Sequence, residues 1–425
     1  MKRWEDRYRD KLVPPEKAVG KIASGNRVVL GHAAGEPKCL VDALVKDAGR
    51  LEDVEIVHMV PLYGCEYTKE EYAKHFRHNA LFVGAGTREP VNSGRADFTP
   101  CFFSEIPRLF RDEILPVDVA LIQVSPPDAH GYMSFGVSVD YTMQAALSAR
   151  YTVAEVNAKT PRTHGAFIHI SDVDAVVEAD YELPEIPLPN ISEVEERIGE
   201  NVASLVPDRA NLQLGIGAIP DAVLKFLTGK RDLGIHTEMF SDGVLDLYDR
   251  GVITNRYNTV NPGKFVATFL MGTKRLYGFV DDNPTVLMRP VDYTNNAMVA
   301  GRVENLISIN SALQADIYGQ VCADMLGRTQ FSAVGGQVDF VRAASLSKGG
   351  KSIIAFPSTG KGGTLSRIAP LLTEGATVTT SRNDVHYLVT EFGIADLRGK
   401  TARQRREALI AIAHPDFRDG LERSK

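Results

Sequence analysis

The chain has 425 residues, of which 44% are hydrophobic and 24% charged, an ordinary globular usage that excludes a disordered or fibrous protein. Its 48 basic and 54 acidic residues give a net charge of −6, so no overall positive field draws it to nucleic acid or to an anionic membrane. At roughly 150 residues per domain the length predicts two or three domains, with two favoured because α/β domains run large.

From the N-terminus, MKRWEDRYRDKLVPPEK interrupts every apolar stretch with charge. It therefore lacks the apolar core of a signal peptide, and no run of about 18 apolar residues offers a membrane span anywhere in the chain. Cys39, Cys65, Cys101 and Cys322 are far apart and form no CxxC pair. That spacing argues against a thiolate metal site and a disulfide framework, and predicts a reducing, cytoplasmic setting.

The segment KIASGNRVVLGHAAGEPKCLVDAL reads as a helix ending in Ala-Ser, a turn, an apolar strand and a loop of small residues. Pro37 then opens a helix with Leu40, Val41 and Leu44 on one face. Further short apolar runs, VEIVHMV, VDVALIQVS and TVAEVN, follow as strands. In YELPEIPLPN, residues 181 to 190, Pro184, Pro187 and Pro189 remove backbone donors and fix φ, so a linker falls there. It separates an N-terminal domain over 1–183 from a C-terminal domain over 190–425 that carries the candidate nucleophile. Beyond it the grammar recurs in NVASLVPDRANLQLGIGAIPDAVLKFL, where Pro220 is followed by Val223, Leu224 and Leu227 at the same offsets. SIIAFP and TVTT supply later strands. The fold class is α/β: two similar open, mostly parallel domains, with ligands beyond the strand C-termini.

Four places could carry chemistry. In LQLGIGAIPDAV, Gly215 and Gly217 let backbone approach a ligand at a helix start, suited to an oxyanion, although a tight turn needs the same glycines. In GIHTEMFSDGVLDLYDRG, Glu238 stands at a strand-to-helix junction beside Met239 and Phe240, with Ser241 placed to cap a helix carrying Val244, Leu245 and Leu247. That position could serve a nucleophile or general base, although on position alone it favours a structural salt bridge or cap. Gly335 and Gly336 precede a helix in FSAVGGQVDFVRAA. Lys361 stands in the glycine loop FPSTGKGGT, which lacks phosphate-loop spacing but could meet a diphosphate as a point charge. His32, His130 and His236 are single histidines without metal-binding spacing, no GxSxG elbow occurs, and RGKTARQRREALIAIAHPDF reads as an amphipathic helix with a solvated basic face. By elimination the attractive nucleophile is a carboxylate.

Six ordered blocks, SPPDAHGYMSFG, GIGAIPDAV, GIHTEMFSDG, INSALQADIYGQV, GGQVDFVRAA and VTEFGIADLRGKT, resemble the acetyl-CoA hydrolase/transferase family, in particular its 4-hydroxybutyrate and butyrate CoA-transferase branch. The resemblance implies two open α/β domains with an active site between them, and transfer of coenzyme A between an acyl-CoA and a free short-chain carboxylate such as acetate, butyrate or 4-hydroxybutyrate. It implies Glu238 as nucleophile and assigns Gly215, Ile216, Gly217, Ala218 and Ile219 to a coenzyme A loop and oxyanion hole. It adds Gly335 and Gly336 beside the thioester, and Asn310 near the reacting groups. Coenzyme A is then a substrate, with neither metal nor nucleoside triphosphate, and the protein a homodimer or higher homo-oligomer. One departure is Phe392 where tyrosine is frequent. A glutamate with a reference pKa of about 4.3 is ionised at neutral pH and needs no partner base to attack a thioester. An acyl-CoA hydrolase on the same scaffold and a non-enzymatic metabolite sensor are the alternatives, the latter needing no nucleophile at Glu238.

Overall fold

The computed structural model describes residues 3–215 and 217–424. The chain divides into two compact units, Met1–Ile186 with Ala267–Tyr293 and Pro187–Val266 with Thr294–Lys425.

The first unit is organised by a seven-stranded sheet. Its strands are β1 (Arg27–Leu30), β2 (Val54–His58), β3 (Phe76–Ala80), β4 (Asp97–Phe98), β5 (Val119–Val124), β6 (Tyr151–Asn157) and β7 (Ala175–Ala179), in the order β4-β3-β2-β1-β5-β6-β7. All six pairings are parallel. Every residue of β5 is buried, which explains why VALIQV is apolar at every position but Gln123 rather than alternating: both faces of a parallel sheet are covered. Helix α1 (Lys38–Lys46) follows Pro37 and buries Leu40, Val41, Ala43 and Leu44, each worth roughly 1.5–3 kcal/mol when a large side chain is fully removed from water.

One expectation fails here. The helix before β1 stops at Val19, so Ala23 and Ser24 belong to a turn and not to its end. The Asn26 side chain accepts from the Ala23 N–H at 2.8 Å, a local capture of a backbone donor that competes with helix, while the Ser24 hydroxyl accepts from the distant Glu52 N–H at 2.9 Å. The SPPDAHGYMSFG block forms a tight loop in which Asp128 accepts from the N–H groups of His130 and Tyr132 and pairs with Arg162 at 2.7 Å.

No helix or strand occurs from residue 181 to residue 192. The second unit then starts with α2 (Glu193–Ser204), closed by a reciprocal cap between Ser192 and Glu195. Its sheet contains β8 (Asn211–Leu214), β9 (Gly234–Ile235), β10 (Leu306–Ser311), β11 (Lys351–Ala355), β12 (Tyr387–Thr390) and β13 (Gly393–Asp396), ordered β9-β8-β10-β11-β12-β13. Only the β12–β13 edge pairing is antiparallel. The helices include α3 (Ala218–Phe226), α4 (Asp242–Asp249), α5 (Gln337–Leu346) and α6 (Ala402–Ala411). Helix α6 buries Leu409 and Ile410 and is capped by Thr401 with Gln404, as the amphipathic reading of the basic run predicts.

TVTT does not become a strand. Thr380 makes one isolated bridge to Val321, while the hydroxyls of Thr377 and Thr379 both donate to Asp324 Oδ1. β-Branched residues here serve a carboxylate instead of a ladder. Among the described residues no helix is long and apolar enough to cross a membrane.

Candidate active site

Strand β8 delivers the chain to the glycine loop. Gly217 has φ +116°, a conformation open to glycine and rarely to other residues, and immediately precedes α3. Apart from the glycines themselves and their chain neighbours, no described atom lies within 4 Å of where a Cβ on Gly215 or Gly217 would stand. Ala218 and Ile219 open α3, where the leading N–H groups lack intrahelical partners. Ile216 lies outside the described residues.

From the neighbouring strand β9 the chain continues through His236 and Thr237 to Glu238. The buried Thr237 hydroxyl accepts from the Leu214 N–H at 3.1 Å and lies 2.9 Å from the carbonyls of Leu214 and Met239. It thereby stitches the residue before Glu238 to the end of β8. Glu238 itself is partly exposed, and its Oε2 accepts from Asn295 Nδ2 at 2.9 Å. Asn295 is fully buried.

Gly336 is the third member of this group. A Cβ there would stand 1.9 Å from Glu238 Oε2 and 2.3 Å from Asn295 Nδ2, so a side chain and the carboxylate cannot share the space. Gly335, with φ +52°, turns the chain into this approach, and Gly336 is the N-cap of α5. A carboxylate against a helix N-terminus is favoured by the helix dipole.

Asn310 lies near the end of β10, with its amide engaged by two neighbours. Its Nδ2 donates to Gln213 Oε1 at 3.1 Å and to Ser308 Oγ at 2.9 Å, and its Oδ1 accepts from Gln213 at 3.3 Å. Lys361 stands on an exposed turn with φ +49°, and no described hydrogen bond or ion pair joins it to the Glu238 group. The base of its loop is fixed by Glu391, which accepts from the Ser358 N–H at 2.8 Å and hydroxyl at 2.6 Å. Ser241 does not cap α4 through its side chain; its hydroxyl donates instead to Asp221 at 3.2 Å, in a site where burial raises the Asp221 pKa.

Structure therefore brings Glu238 and Gly336 together and adds Asn295, Thr237 and Gln213, which the sequence reading did not single out. The tandem Asn295-Asn296 was the available signal: Asn296 accepts from the Met298 N–H at 2.9 Å as an N-cap, which leaves its neighbour to face inward. Among the described residues no group of three or more His, Cys, Asp or Glu could hold a metal ion. The arrangement can present a carboxylate, oriented by an amide and pressed by a glycine, to an electrophilic carbon.

Two family models match the chain: the acetyl-CoA hydrolase/transferase N-terminal domain over residues 1–187 and the C-terminal domain over residues 272–425. A 4-hydroxybutyrate coenzyme A transferase of Clostridium kluyveri is 60% identical, with 98% of each chain covered. Among solved structures, RipA from Yersinia pestis is 40% identical at a TM-score of 0.95, covering 100% of this chain and 98% of its own. A 4-hydroxybutyrate CoA-transferase from Porphyromonas gingivalis is 44% identical at a TM-score of 0.83, covering 99% and 98%.

Proposed function

Because the chain belongs to the acetyl-CoA hydrolase/transferase family, we propose that it is a CoA-transferase that moves coenzyme A between an acyl-CoA and a free short-chain carboxylate, with acetate, butyrate and 4-hydroxybutyrate as the acyl class. The relative 60% identical over 98% of the chain is named for 4-hydroxybutyrate, which supports that choice. The observation that carries the mechanism is the carboxylate of Glu238, held by Asn295 at 2.9 Å and packed against a residue that must be glycine.

In this reading Glu238 attacks the thioester carbon. The C–S bond breaks, coenzyme A leaves as thiolate, and an acyl-glutamyl anhydride forms. The thiolate then attacks the glutamyl carbonyl, releasing the first acid as its carboxylate and leaving a glutamyl-CoA thioester. A second carboxylate takes the coenzyme A by the same two steps reversed. Each attack passes through a tetrahedral oxyanion, for which the amides of Gly215 to Ile219 are the assigned donors, each worth about 3 kcal/mol. Lys361 is assigned to the coenzyme A diphosphate, and Asn310 to bracing the Gln213 side chain below the glycine loop. Thioester energy is conserved throughout, so the reaction draws on neither a nucleoside triphosphate nor a metal. The enzyme works as a cytoplasmic homo-oligomer, which sedimentation analysis tests.

Glu238→Gln decides the assignment: the amide keeps size and polarity but is no anionic nucleophile. Loss of transfer with an unchanged melting temperature supports the reading, and activity above a few per cent of wild type removes it. Comparing acyl-CoA consumption with and without acetate separates transfer from hydrolysis.

A further inference from the structure

Two residues before Glu238, His236 is fully buried. Its ring packs edge-on against Phe340 of α5, with centroids 6.4 Å apart, and its Nε2 lies 2.9 Å from the carbonyl oxygen of Thr294. Burial pushes the His236 pKa down to about 4, so the imidazole is neutral. A neutral ring bonded to a carbonyl through Nε2 carries its proton there, which leaves Nδ1 as a bare lone pair. His236 Nδ1 has no hydrogen-bond partner, nor do the buried Thr294 Oγ1 and Asn295 Oδ1.

Three unsatisfied buried polar atoms thus lie on the two segments that carry Glu238 and its partner Asn295. Native proteins satisfy most such atoms, and exceptions concentrate where geometry is held at the expense of stability. The geometry held here is visible. The segment His236 to Glu238 is joined to the segment Thr294 to Asn295 by two hydrogen bonds, His236 Nε2 to Thr294 O and Asn295 Nδ2 to Glu238 Oε2. One such bond alone would let the asparagine pivot about its backbone. Two bonds between the same pair of segments fix its direction.

We infer that His236 is a positioning residue for the transfer reaction: its bond to the Thr294 carbonyl anchors the backbone beside Asn295, so that the asparagine amide holds the Glu238 carboxylate in line for attack. This rests on Glu238 being the nucleophile. It gives the histidine of the GIHTEMFSDG block a role that needs neither a metal nor proton transfer.

The test compares two variants with the wild type in single-turnover reactions of the whole enzyme with acetyl-CoA, following the coenzyme A adduct on the Glu238 peptide by mass spectrometry, alongside kcat, KM for acetyl-CoA and Tm. His236→Gln puts an amide N–H where Nε2–H lies, whereas His236→Asn is too short to reach Thr294. The Asn variant should form the adduct roughly ten- to a hundredfold more slowly with KM little changed, the scale of a small misplacement, and the Gln variant should recover most of the rate. Should His236→Asn fail to fold, His236→Met, of similar bulk and without a donor, takes its place in the comparison. Adduct formation in the donorless variant at the wild-type rate, or equal loss in the Gln and donorless variants, overturns the positioning role while leaving the transfer reading intact. Turnover by the wild-type enzyme without any adduct on Glu238 overturns both.

Discussion

Gly336→Ala is the sharpest perturbation the site offers. A Cβ at this position would stand 1.9 Å from Glu238 Oε2, whereas real contacts are essentially never shorter than 3.0 Å, so the carboxylate must retreat by at least the difference, 1.1 Å. It cannot retreat without leaving Asn295, whose Nδ2 would itself be only 2.3 Å from the new methyl group. Misplacement of a reacting group by about 1 Å costs on the order of a hundredfold in rate, or about 2.7 kcal/mol of transition-state stabilisation. The backbone raises no objection, since Gly336 has φ −94°, which any residue adopts. Activity should therefore fall about a hundredfold in kcat/KM for butyrate-dependent CoA transfer, with Tm nearly unchanged. Gly217→Ala is the contrasting control: its Cβ meets open space, but φ +116° strains any side-chain-bearing residue by roughly 1–3 kcal/mol, so its Tm should drop more. A Gly336→Ala enzyme that keeps more than about a third of wild-type activity, or that unfolds, refutes the packing argument.

Asn295→Asp sets a second carboxylate 2.9 Å from Glu238; the pair then shares a proton, and the acid limb of the pH–rate profile should move up by about one unit or more, an unmoved limb counting against the clamp. Lys361→Ala should raise KM for acyl-CoA several-fold while kcat holds, because a point charge on the diphosphate acts on ground and transition states alike; a fall in kcat instead would remove Lys361 from the binding role. In the first unit, burial pushes Glu155 up to about 7, above its unfolded value, so the native state holds the extra proton at low pH and loses that stability as pH rises through 7. Glu155→Gln should consequently gain Tm relative to wild type between pH 5 and pH 8, and a difference independent of pH would show that the carboxyl is not held protonated.

Local patterns were legible wherever one segment determines its own structure. GIGAIPDAV announces strand, glycine turn and helix because Gly217 needs its positive φ and Pro220 suits a first turn, and both are sequence-local facts. Glu238 could be placed at a junction for the same reason. Its partners could not: Asn295 and Gly336 reach it only because β9, the segment after Tyr293 and the start of α5 converge in three dimensions. The same limit explains His236, whose neighbour is a backbone carbonyl that no side-chain pattern reveals. The misreadings follow from competition by polar side chains: Asn26 captures the Ala23 backbone donor where a helix end was expected, and Asp324 recruits the threonines of TVTT.

The six buried residues of β5 carry a different consequence, one that arises before the fold exists. VALIQV is uncharged, rich in β-branched residues and lacks proline, the composition from which cross-β stacking is built. In the finished sheet it is screened by β1 and β6 on either side, yet β6 is synthesised after it, so the newly made chain must carry this segment uncovered for a time. Pro116 with Asp118 stand on one side, and Pro126, Pro127 and Asp128 on the other, the residue types that flank aggregation-prone strands as gatekeepers. Replacing those prolines should lower the yield of folded enzyme, a defect visible in aggregation.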